Sequence, residues 1–224
     1  MRRLLVASGN AGKVREFGEL FRPLGWSCAS LQTLAAERGV TIPEPEETGR
    51  TFRANACLKA SAYSLAARLW TLADDSGLEI DALGGGPGVH SARWAAKHGV
   101  SDAAGGKDAS NNRLVLEQLR DVPDGRRTGR FVCVLALADP AGRVVLTARG
   151  SVEGEILRSR RGTGGFGYDP MFLIPRLGKT TAELAPDEKH AVSHRGGATR
   201  AIVELMRQHG LAFAEDRHVP GGVH

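Results

Sequence analysis

The order of apolar and polar residues along the chain predicts a succession of short strands and longer helices. Four apolar runs have the length of strands and cover residues 4–7, 131–137, 144–148 and 171–174. The second and third runs are joined by Asp-Pro-Ala-Gly, which predicts a hairpin turn. Helices are predicted over residues 13–20, 51–69, 111–119 and 195–209. Gly210 follows the last of them and predicts its C-terminal end.

Two adjacent carboxylates, Asp74 and Asp75, follow a short apolar segment at residues 70–72. We interpret residues 73–78 as a turn at the end of a strand. Adjacent side chains of a strand point to opposite faces, so one carboxylate can hold the turn while the other faces a cleft. Asp75 could then bind Mg²⁺, take a proton from water, or do both, and Ser76 could donate to a phosphate oxygen. The alternative is a turn whose carboxylates are purely structural.

The segment between the first strand and the first helix is rich in small residues. Its candidate phosphate-binding residues are Ser8, Gly9, Asn10, Ala11, Gly12 and Lys13. Small side chains let backbone N–H groups and a helix N-terminus face an anion, and the lysine adds a full positive charge. A Walker A loop is excluded, because it has four residues between its glycines and Ser or Thr after its lysine, whereas here two residues separate the glycines and Val14 follows the lysine. An ordinary tight turn is the alternative.

The helix that begins at Thr51, its predicted N-cap, carries polar residues on an apolar face. By the i, i+3, i+4 rule, one face contains Phe52, Asn55, Ala56, Lys59 and Tyr63. Asn55 and Lys59 need partners there, since unpaired burial is costly. The alternative is that the Lys59 ammonium reaches solvent at the edge of this face. Glu46 and Glu47 precede the helix and offer carboxylates for a metal, or else form a solvated surface.

Two glycine-rich segments, at residues 84–88 and 162–170, have the composition of loops over a site. The second contains Phe166, Gly167, Tyr168 and Asp169. An aromatic ring flanked by glycines is not easily explained by core packing, and it suits stacking on a flat ligand. The alternative is a glycine-rich bend plugged by an aromatic ring.

Lys189, His194 and Arg195 form a basic cluster late in the chain. Donors set against a purine edge favour a 6-keto oxygen over a 6-amino group, and Arg has no acceptor. Such a site discriminates strongly, because a mismatch leaves buried groups unpaired. A basic start to a helix is otherwise unfavourable near the positive end of its dipole, which favours a functional role.

The bulk properties indicate a soluble globular protein. At 224 residues the chain suits one large α/β domain or two small lobes. The formal net charge of +5 comes from scattered basic residues, which suits anionic small molecules better than nucleic acid. Cys28, Cys57 and Cys133 are widely spaced and indicate reduced thiols. The N-terminal apolar run is too short for a signal peptide and no segment reaches membrane-spanning length, so we expect a cytoplasmic protein.

The domain organisation expected from these patterns is a single domain over residues 1–210. The tail, residues 211–224, is expected to be loosely ordered, since it carries little pattern. Residues 98–108 are rich in Gly, Ala and Asp and are expected to form a mobile loop.

Six segments, in order, closely resemble those of the Ham1-like dITP/XTP pyrophosphatases. They are residues 8–16, residues 46–49, Phe52 with Asn55 and Lys59, residues 73–78, residues 162–170 and residues 193–196. The resemblance runs from about residue 4 to residue 206. It implies a homodimeric α/β enzyme with a long mixed central β-sheet flanked by helices, and two lobes with the active-site cleft between them. It also implies Mg²⁺-dependent hydrolysis of ITP, dITP and XTP to the monophosphate and pyrophosphate.

The same resemblance implies roles for individual residues. Asp75 would be the general base and a metal ligand, and Glu46 or Glu47 would assist the metal. The triphosphate would be held by the loop of residues 8–13 and Lys59, with Asn55 nearby and Ser76 touching substrate. Phe166 would stack on the base, beside a wall completed by Gly167, Tyr168 and Asp169. The 6-keto edge would be read by Lys189, His194 and Arg195.

Two other functions remain open at this stage. A Maf-like pyrophosphatase acting on pyrimidine or modified nucleotides would share the phosphate loop and the metal carboxylates, but would not need the pair His194 and Arg195. A nucleotide-binding regulator would keep Phe166 and Lys13 but would not need the acidic residues.

Overall fold

The computed structural model of the chain describes residues 1–8, 11–102 and 105–212, apart from the side chains of residues 11, 12, 16 and 186. The strands are β1 (Arg2–Val6), β2 (Trp26–Ser30), β3 (Trp70–Ile80), β4 (Thr128–Ala138), β5 (Val144–Ile156), β6 (Phe172–Ile174) and β7 (Lys179–Thr180). The α-helices are α1 (Ala11–Phe21), α2 (Leu31–Arg38), α3 (Phe52–Ala67), α4 (Trp94–Lys97), α5 (Gly106–Gln118), α6 (Pro186–Val192) and α7 (His194–Gln208).

Within the described residues, seven strands form one mixed sheet in the order β2-β1-β3-β4-β5-β6-β7. β1 is parallel to β2 and β3, whereas the pairs from β3 to β7 are antiparallel. The predicted long mixed sheet flanked by helices is confirmed. The predicted strands and helices recur with shifted ends, and β4 and β5 extend beyond the apolar runs that marked them.

Helices cover both faces of the sheet and create separate apolar cores. On one face, α1 and α7 bury Phe17 and Ile202 against Leu72 of β3. Farther along the same face, α5 buries Val115 in a core with Leu78 of β3. Leu72 and Leu78 share a face because side chains alternate along a strand.

The opposite face of the sheet is covered by α3. Its buried residues Phe52, Ala56 and Ala60 pack against Ala73 of β3 and Val134 of β4. Thr51 caps this helix as predicted, with its side-chain oxygen accepting a hydrogen bond from the backbone N–H of Ala54 at 3.1 Å.

The prediction of a turn at residues 73–78 is wrong. Strand β3 continues through both carboxylates to Ile80, and Asp74 and Asp75 pair in register with Leu135 and Val134 of β4. Asp, Ser and Gly disfavour strands locally, but pairing with the long, apolar β4 overrides that preference. The predicted divergence of the two carboxylates is confirmed, because they lie on opposite faces of the sheet.

Helix α7 lies unusually close to β5 at Gly150. A Cβ atom built there would overlap the backbone oxygen of His194 and the backbone nitrogen of Ala198. The first turn of α7 therefore rests directly on the backbone of the sheet. Ser193 caps this helix by accepting a hydrogen bond from the backbone N–H of Gly196 at 3.0 Å.

Part of the predicted mobile loop at residues 98–108 is helical. Helix α5 begins at Gly106, because buried Ser110 and Val115 anchor the following turns to the core. At the C-terminus, Trp26 donates from its indole nitrogen to the backbone oxygen of Leu211 at 2.8 Å. The rest of the predicted tail, residues 213–224, lies outside the described residues. Among the described helices, none combines the length and the apolar character that a membrane span requires.

Candidate active site

Two cavities flank strand β3. The first, which we name the aromatic cavity, has a volume of about 390 Å³ and is lined by three aromatic residues, Phe131, Phe166 and Tyr168, and by the first residues of α7. The second, the lysine cavity, has a volume of about 500 Å³ and is lined by Lys13 and Lys59 among others. Consecutive parts of β3 border the two, since Asp74 lines the lysine cavity and Ser76 the aromatic cavity.

On the α3 face of the sheet, Lys59 joins two carboxylates. Its ammonium lies 2.8 Å from a carboxylate oxygen of Glu47 and 3.1 Å from one of Asp75. Asn55 donates to the other Asp75 oxygen at 3.2 Å and accepts from the backbone N–H of Gly49 at 2.8 Å. The predicted need of Asn55 and Lys59 for partners is confirmed, and Lys59 is buried rather than extended to solvent.

Burial and neighbouring charges shift the pKa values of the three ionisable groups in this cluster. Burial raises the pKa of the Asp75 carboxyl above its ordinary value, and the charge of Lys59 offsets part of that effect. Burial by itself would lower the pKa of Lys59, but the charges of Asp75 and Glu47 outweigh it and raise that pKa. Burial also opposes ionisation of Glu47, yet Lys59 and Arg93 bring its pKa below the ordinary value. Burial thus makes the Asp75 carboxylate a stronger proton acceptor than an ordinary aspartate.

The other carboxylate of β3, Asp74, lies on the opposite face of the sheet, which α1 and α7 cover. Asp74 accepts hydrogen bonds from the Lys13 ammonium at 2.8 and 3.1 Å and lies 3.8 Å from the guanidinium of Arg195. Burial of Asp74 favours its neutral form, but the charges of Lys13 and Arg195 prevail and lower its pKa. The basic start of α7 is thus compensated by a buried carboxylate.

A glycine-rich loop forms one wall of the aromatic cavity. The Phe166 ring is 66% exposed, and the Lys189 ammonium lies 5.4 Å from its centre. Asp169 fixes this wall, because its carboxylate accepts from the Phe166 backbone N–H at 2.9 Å, from the Thr181 hydroxyl at 2.9 Å and from Lys189. Gly165 has a φ of 74°, and a Cβ there would overlap the Asp169 carboxylate.

The opposite wall contains His194, whose ring stacks on Phe131 with centroids 5.1 Å apart and planes 19° apart. Burial, together with the charges of Arg195 and Lys189, lowers the pKa of His194 to about 3. The imidazole is therefore neutral at physiological pH and offers one N–H donor. Tyr168 is buried, and its hydroxyl donates to the backbone oxygen of Ser91 at 2.8 Å.

Lys59, Glu47, Asp75 and Asn55 form a group that we name the Lys59 cluster. The structure brings most of the predicted residues into this cluster or into one of the two cavities. The aromatic cavity is lined by Ser76, Phe166, Gly167, Tyr168, Asp169, Lys189, His194 and Arg195. Ser8 and Lys13 line the lysine cavity together with Lys59. Gly9 and Asn10 lie outside the described residues, and Ala11 and Gly12 belong to the first turn of α1. Glu46 is exposed, whereas Glu47 contacts Lys59 and Arg93.

Sequence reasoning missed three groups around the aromatic cavity. Asp108 and Asn112 of α5 contact the backbone of Gly167, and Ser91 accepts from Tyr168 through its backbone oxygen. None of the three stands out in the sequence, because Asp108 and Asn112 lie in the polar first part of α5, residues 106–113, where a buried polar residue has no distinguishing pattern.

The Lys59 cluster contains two carboxylates, Asp75 and Glu47, that could serve as ligands of a divalent cation. The carboxylates of Asp75 and Glu47 both contact the Lys59 ammonium, so they lie close together. Among the described residues, no group of three or more His, Cys, Asp or Glu side chains could hold a metal alone. Mg²⁺ commonly takes one or two carboxylates and completes its shell with phosphate oxygens and water. The pair fits that pattern.

The geometry is that of an α/β protein whose cleft combines carboxylates, lysines and one exposed aromatic ring, Phe166. The sequence profile of the Ham1 family matches residues 4–205. A dITP/XTP pyrophosphatase of Exiguobacterium sibiricum is 49% identical over 200 residues, which are 89% of this chain and 94% of that protein. Another of that name from Desulforamulus reducens is 45% identical over 206 residues, 92% of this chain and 96% of the relative.

Solved structures agree with the sequence relatives. A HAM1 protein from Coxiella burnetii superposes with a TM-score of 0.81 at 39% identity, and the match covers 93% of this chain and 100% of the other. The chain belongs to the Ham1 family.

Proposed function

We propose that this protein hydrolyses the non-canonical purine nucleotides dITP, ITP and XTP to the nucleoside monophosphate and pyrophosphate, and so removes them from the nucleotide pool. The observation that carries the proposal is the position of Asp75, which has a raised pKa and is bound by a lysine that also lines the lysine cavity. The name of the relatives, dITP/XTP pyrophosphatase, supports the same reaction.

In this reaction Asp75 acts as the general base. A water molecule attacks the α-phosphorus and loses a proton to the Asp75 carboxylate. The new bond joins the water oxygen to the α-phosphorus, and the bond to the oxygen that bridges to the β-phosphate breaks, so that pyrophosphate leaves with that electron pair. The raised pKa makes Asp75 a better proton acceptor than an exposed aspartate, while the charge of Lys59 favours its ionised form. Asn55 fixes its orientation.

The triphosphate is held by the loop of residues 8–13 and by Lys59. Lys13 and Lys59 face the lysine cavity and offer positive charge to the phosphate oxygens. Mg²⁺, held by Asp75 and Glu47, would neutralise further charge on the phosphates when bound. Glu47 rather than Glu46 is assigned to the metal, because Glu47 shares the Lys59 ammonium with Asp75.

The base occupies the aromatic cavity in this proposal. The exposed Phe166 ring stacks on the purine, and Gly167, Tyr168 and Asp169 complete that wall. Lys189, His194 and Arg195 donate hydrogen bonds toward the 6-position of the purine, which favours a keto oxygen over an amino group.

Product analysis tests the proposal. The purified protein is incubated with ITP, XTP, GTP, ATP and dTTP, with and without Mg²⁺. We expect monophosphate and pyrophosphate from ITP and XTP, only with the metal, and poor turnover of GTP, ATP and dTTP. Release of inorganic phosphate would refute the point of cleavage. Preference for dTTP would favour the Maf-like alternative, and ITP binding without product at every Mg²⁺ concentration would favour a regulator.

The proposal extends to assembly and location. The family resemblance implies a homodimer, and the free cysteines suit a cytoplasmic protein. Light scattering coupled to size exclusion tests the dimer directly, with an expected mass twice the 23.8 kDa of one chain.

A further inference from the structure

The position of Phe166 depends on its backbone. Its side chain is 66% exposed, so packing does little to fix the ring. It stands between Gly165 and Gly167, whose φ values of 74° and 58° lie in the left-handed region that glycine adopts freely. A loop of this composition needs external contacts to hold one conformation, since glycine loses the most backbone entropy on ordering.

Helix α5 supplies such contacts on both sides of one residue. The carboxylate of Asp108 accepts a hydrogen bond from the backbone N–H of Gly167 at 2.7 Å. The amide nitrogen of Asn112 donates to the backbone oxygen of Gly167 at 3.0 Å. Asp108 and Asn112 lie one helical turn apart, and therefore project from the same face of α5. The Phe166 N–H donates to Asp169, so three hydrogen bonds in all hold the N–H groups of Phe166 and Gly167 and the carbonyl of Gly167.

Asn112 lowers the stability of the fold at its position. Its side chain is 2% exposed, and among the described residues its amide oxygen has no hydrogen-bond partner. A buried acceptor without a partner destabilises the fold, and a leucine of similar size would avoid that cost. The amide therefore has a use that fold stability does not account for, and among the described residues its hydrogen bond goes to the backbone oxygen of Gly167.

We propose that Asp108 and Asn112 are positioning residues for base recognition: they clamp the Gly167 peptide and so hold the Phe166 ring in the orientation that stacks on the purine. This inference rests on the proposed function. Asp108 also lines the aromatic cavity with Phe166 and Gly167, so the clamp is part of the cavity wall. The clamp acts on the base and leaves the triphosphate contacts of the lysine cavity unchanged.

A purely structural role for Asp108 makes a different prediction. Asp108 is in the first turn of α5, where a negative charge by itself stabilises the helix. Asp108→Asn removes the charge but retains an oxygen that accepts from Gly167, whereas Asp108→Ala removes both. The clamp predicts that asparagine restores nucleotide binding, and the dipole effect alone predicts that it does not.

The experiment compares the wild type with Asn112→Leu, Asp108→Ala and Asp108→Asn, and with Arg113→Ala as a control on an exposed position of the same helix. KM and kcat are measured for ITP, and inorganic tripolyphosphate is measured as a competitive inhibitor that lacks a base. Thermal unfolding of each variant is recorded.

For Asn112→Leu and Asp108→Ala we expect KM for ITP to rise about tenfold, the worth of a lost anchoring hydrogen bond. Their kcat and inhibition by tripolyphosphate should stay within about twofold of the wild type, the usual scatter for an unaffected step. Asp108→Asn should recover most of the KM, and Asn112→Leu should unfold no earlier than the wild type. Arg113→Ala should behave as the wild type.

Unchanged KM values in both clamp variants would overturn the inference while the active wild type upheld the proposed function. An equal loss of tripolyphosphate binding would also overturn it, because the defect would then be general. A wild type that releases no pyrophosphate from ITP would overturn the proposed function and this inference with it.

Discussion

Asp74 and Lys13, which are 61 positions apart in the chain, are joined by two hydrogen bonds of 2.8 and 3.1 Å. The same carboxylate lies 3.8 Å from Arg195 at the start of α7. One buried group of β3 thus connects the lysine of the proposed phosphate loop with the arginine of the aromatic cavity.

Replacing Asp74 with alanine should destabilise the fold. The change leaves Lys13 and Arg195 close together without their shared counter-charge, and breaking a buried ion pair from one side costs about 3 kcal/mol. Urea unfolding of the apo protein measures the loss. Asp74→Asn, which keeps hydrogen-bonding capacity, should lose less, and a loss below about 1 kcal/mol in Asp74→Ala would contradict the bridging role.

The stabilisation by Asp74 should depend on pH. Its pKa in the fold lies below the ordinary value of 3.8, so the unfolded chain takes up a proton first as the pH falls. The contribution is therefore complete above about pH 4 and is lost as the pH falls through the lowered folded pKa. Unfolding free energies of wild type and Asp74→Asn, measured without metal, should converge below that point. A gap that widens on acidification would reverse the assigned sign.

Asp75→Asn should reduce turnover by orders of magnitude and leave the fold intact. Asparagine cannot accept the proton from water, and loss of a general base lowers kcat about 10³-fold. The stability should change by less than about 1 kcal/mol, since the pKa of Asp75 is already raised by burial and the amide keeps the size of the carboxyl. Pyrophosphate release and thermal unfolding are the measurements, and a rate near that of the wild type would rule out the assigned role.

Neighbouring glutamates provide a matched test of the metal site. Glu47→Gln should raise the Mg²⁺ concentration for half-maximal activity about tenfold, a typical effect of weakening a metal site. Glu46→Gln should not, because Glu46 is exposed whereas Glu47 lies 2.8 Å from Lys59. Magnesium titrations of the two variants measure this difference, and equal shifts would contradict the proposed assignment of Glu47 to the metal.

His194 should remain neutral across the physiological range. Burial and the adjacent cations lower its pKa to about 3, so its Cε1 proton resonance should not move between about pH 5 and 8. The resonance is assigned by its loss in His194→Gln. The preference for ITP over ATP, which reports recognition of the 6-keto oxygen, should likewise be the same at both ends of that range. A midpoint near the ordinary histidine value would mean that the ring is charged when it meets the base.

The sequence predicted most elements because their apolar patterns agree with their packing. Residues 131–137 are apolar throughout since β4 is covered on both faces, and Asn55 and Lys59 were placed correctly because helical spacing fixes a face. Strand β3 was misjudged at Asp74 because its register comes from β4, which lies far away in the chain.

Long-range polar contacts were the least predictable part of the site. The choice between Glu46 and Glu47 depends on which side chain reaches Lys59, and the role of Asn112 depends on a loop 55 positions later in the chain. Such contacts follow from the folded path of the chain and have no local signal of spacing or composition.

The close packing at Gly150 matters for engineering the specificity of this protein toward other nucleotides. Any larger residue there would act as a wedge between β5 and α7 and tilt the helix that presents His194 and Arg195. In a screen of random variants for altered base preference, substitutions of Gly150 would therefore change the preference although Gly150 does not line the aromatic cavity. Substitutions that alter base recognition are therefore better made among the α7 side chains that line the cleft, because Gly150, on which that helix packs, leaves no room for a side chain.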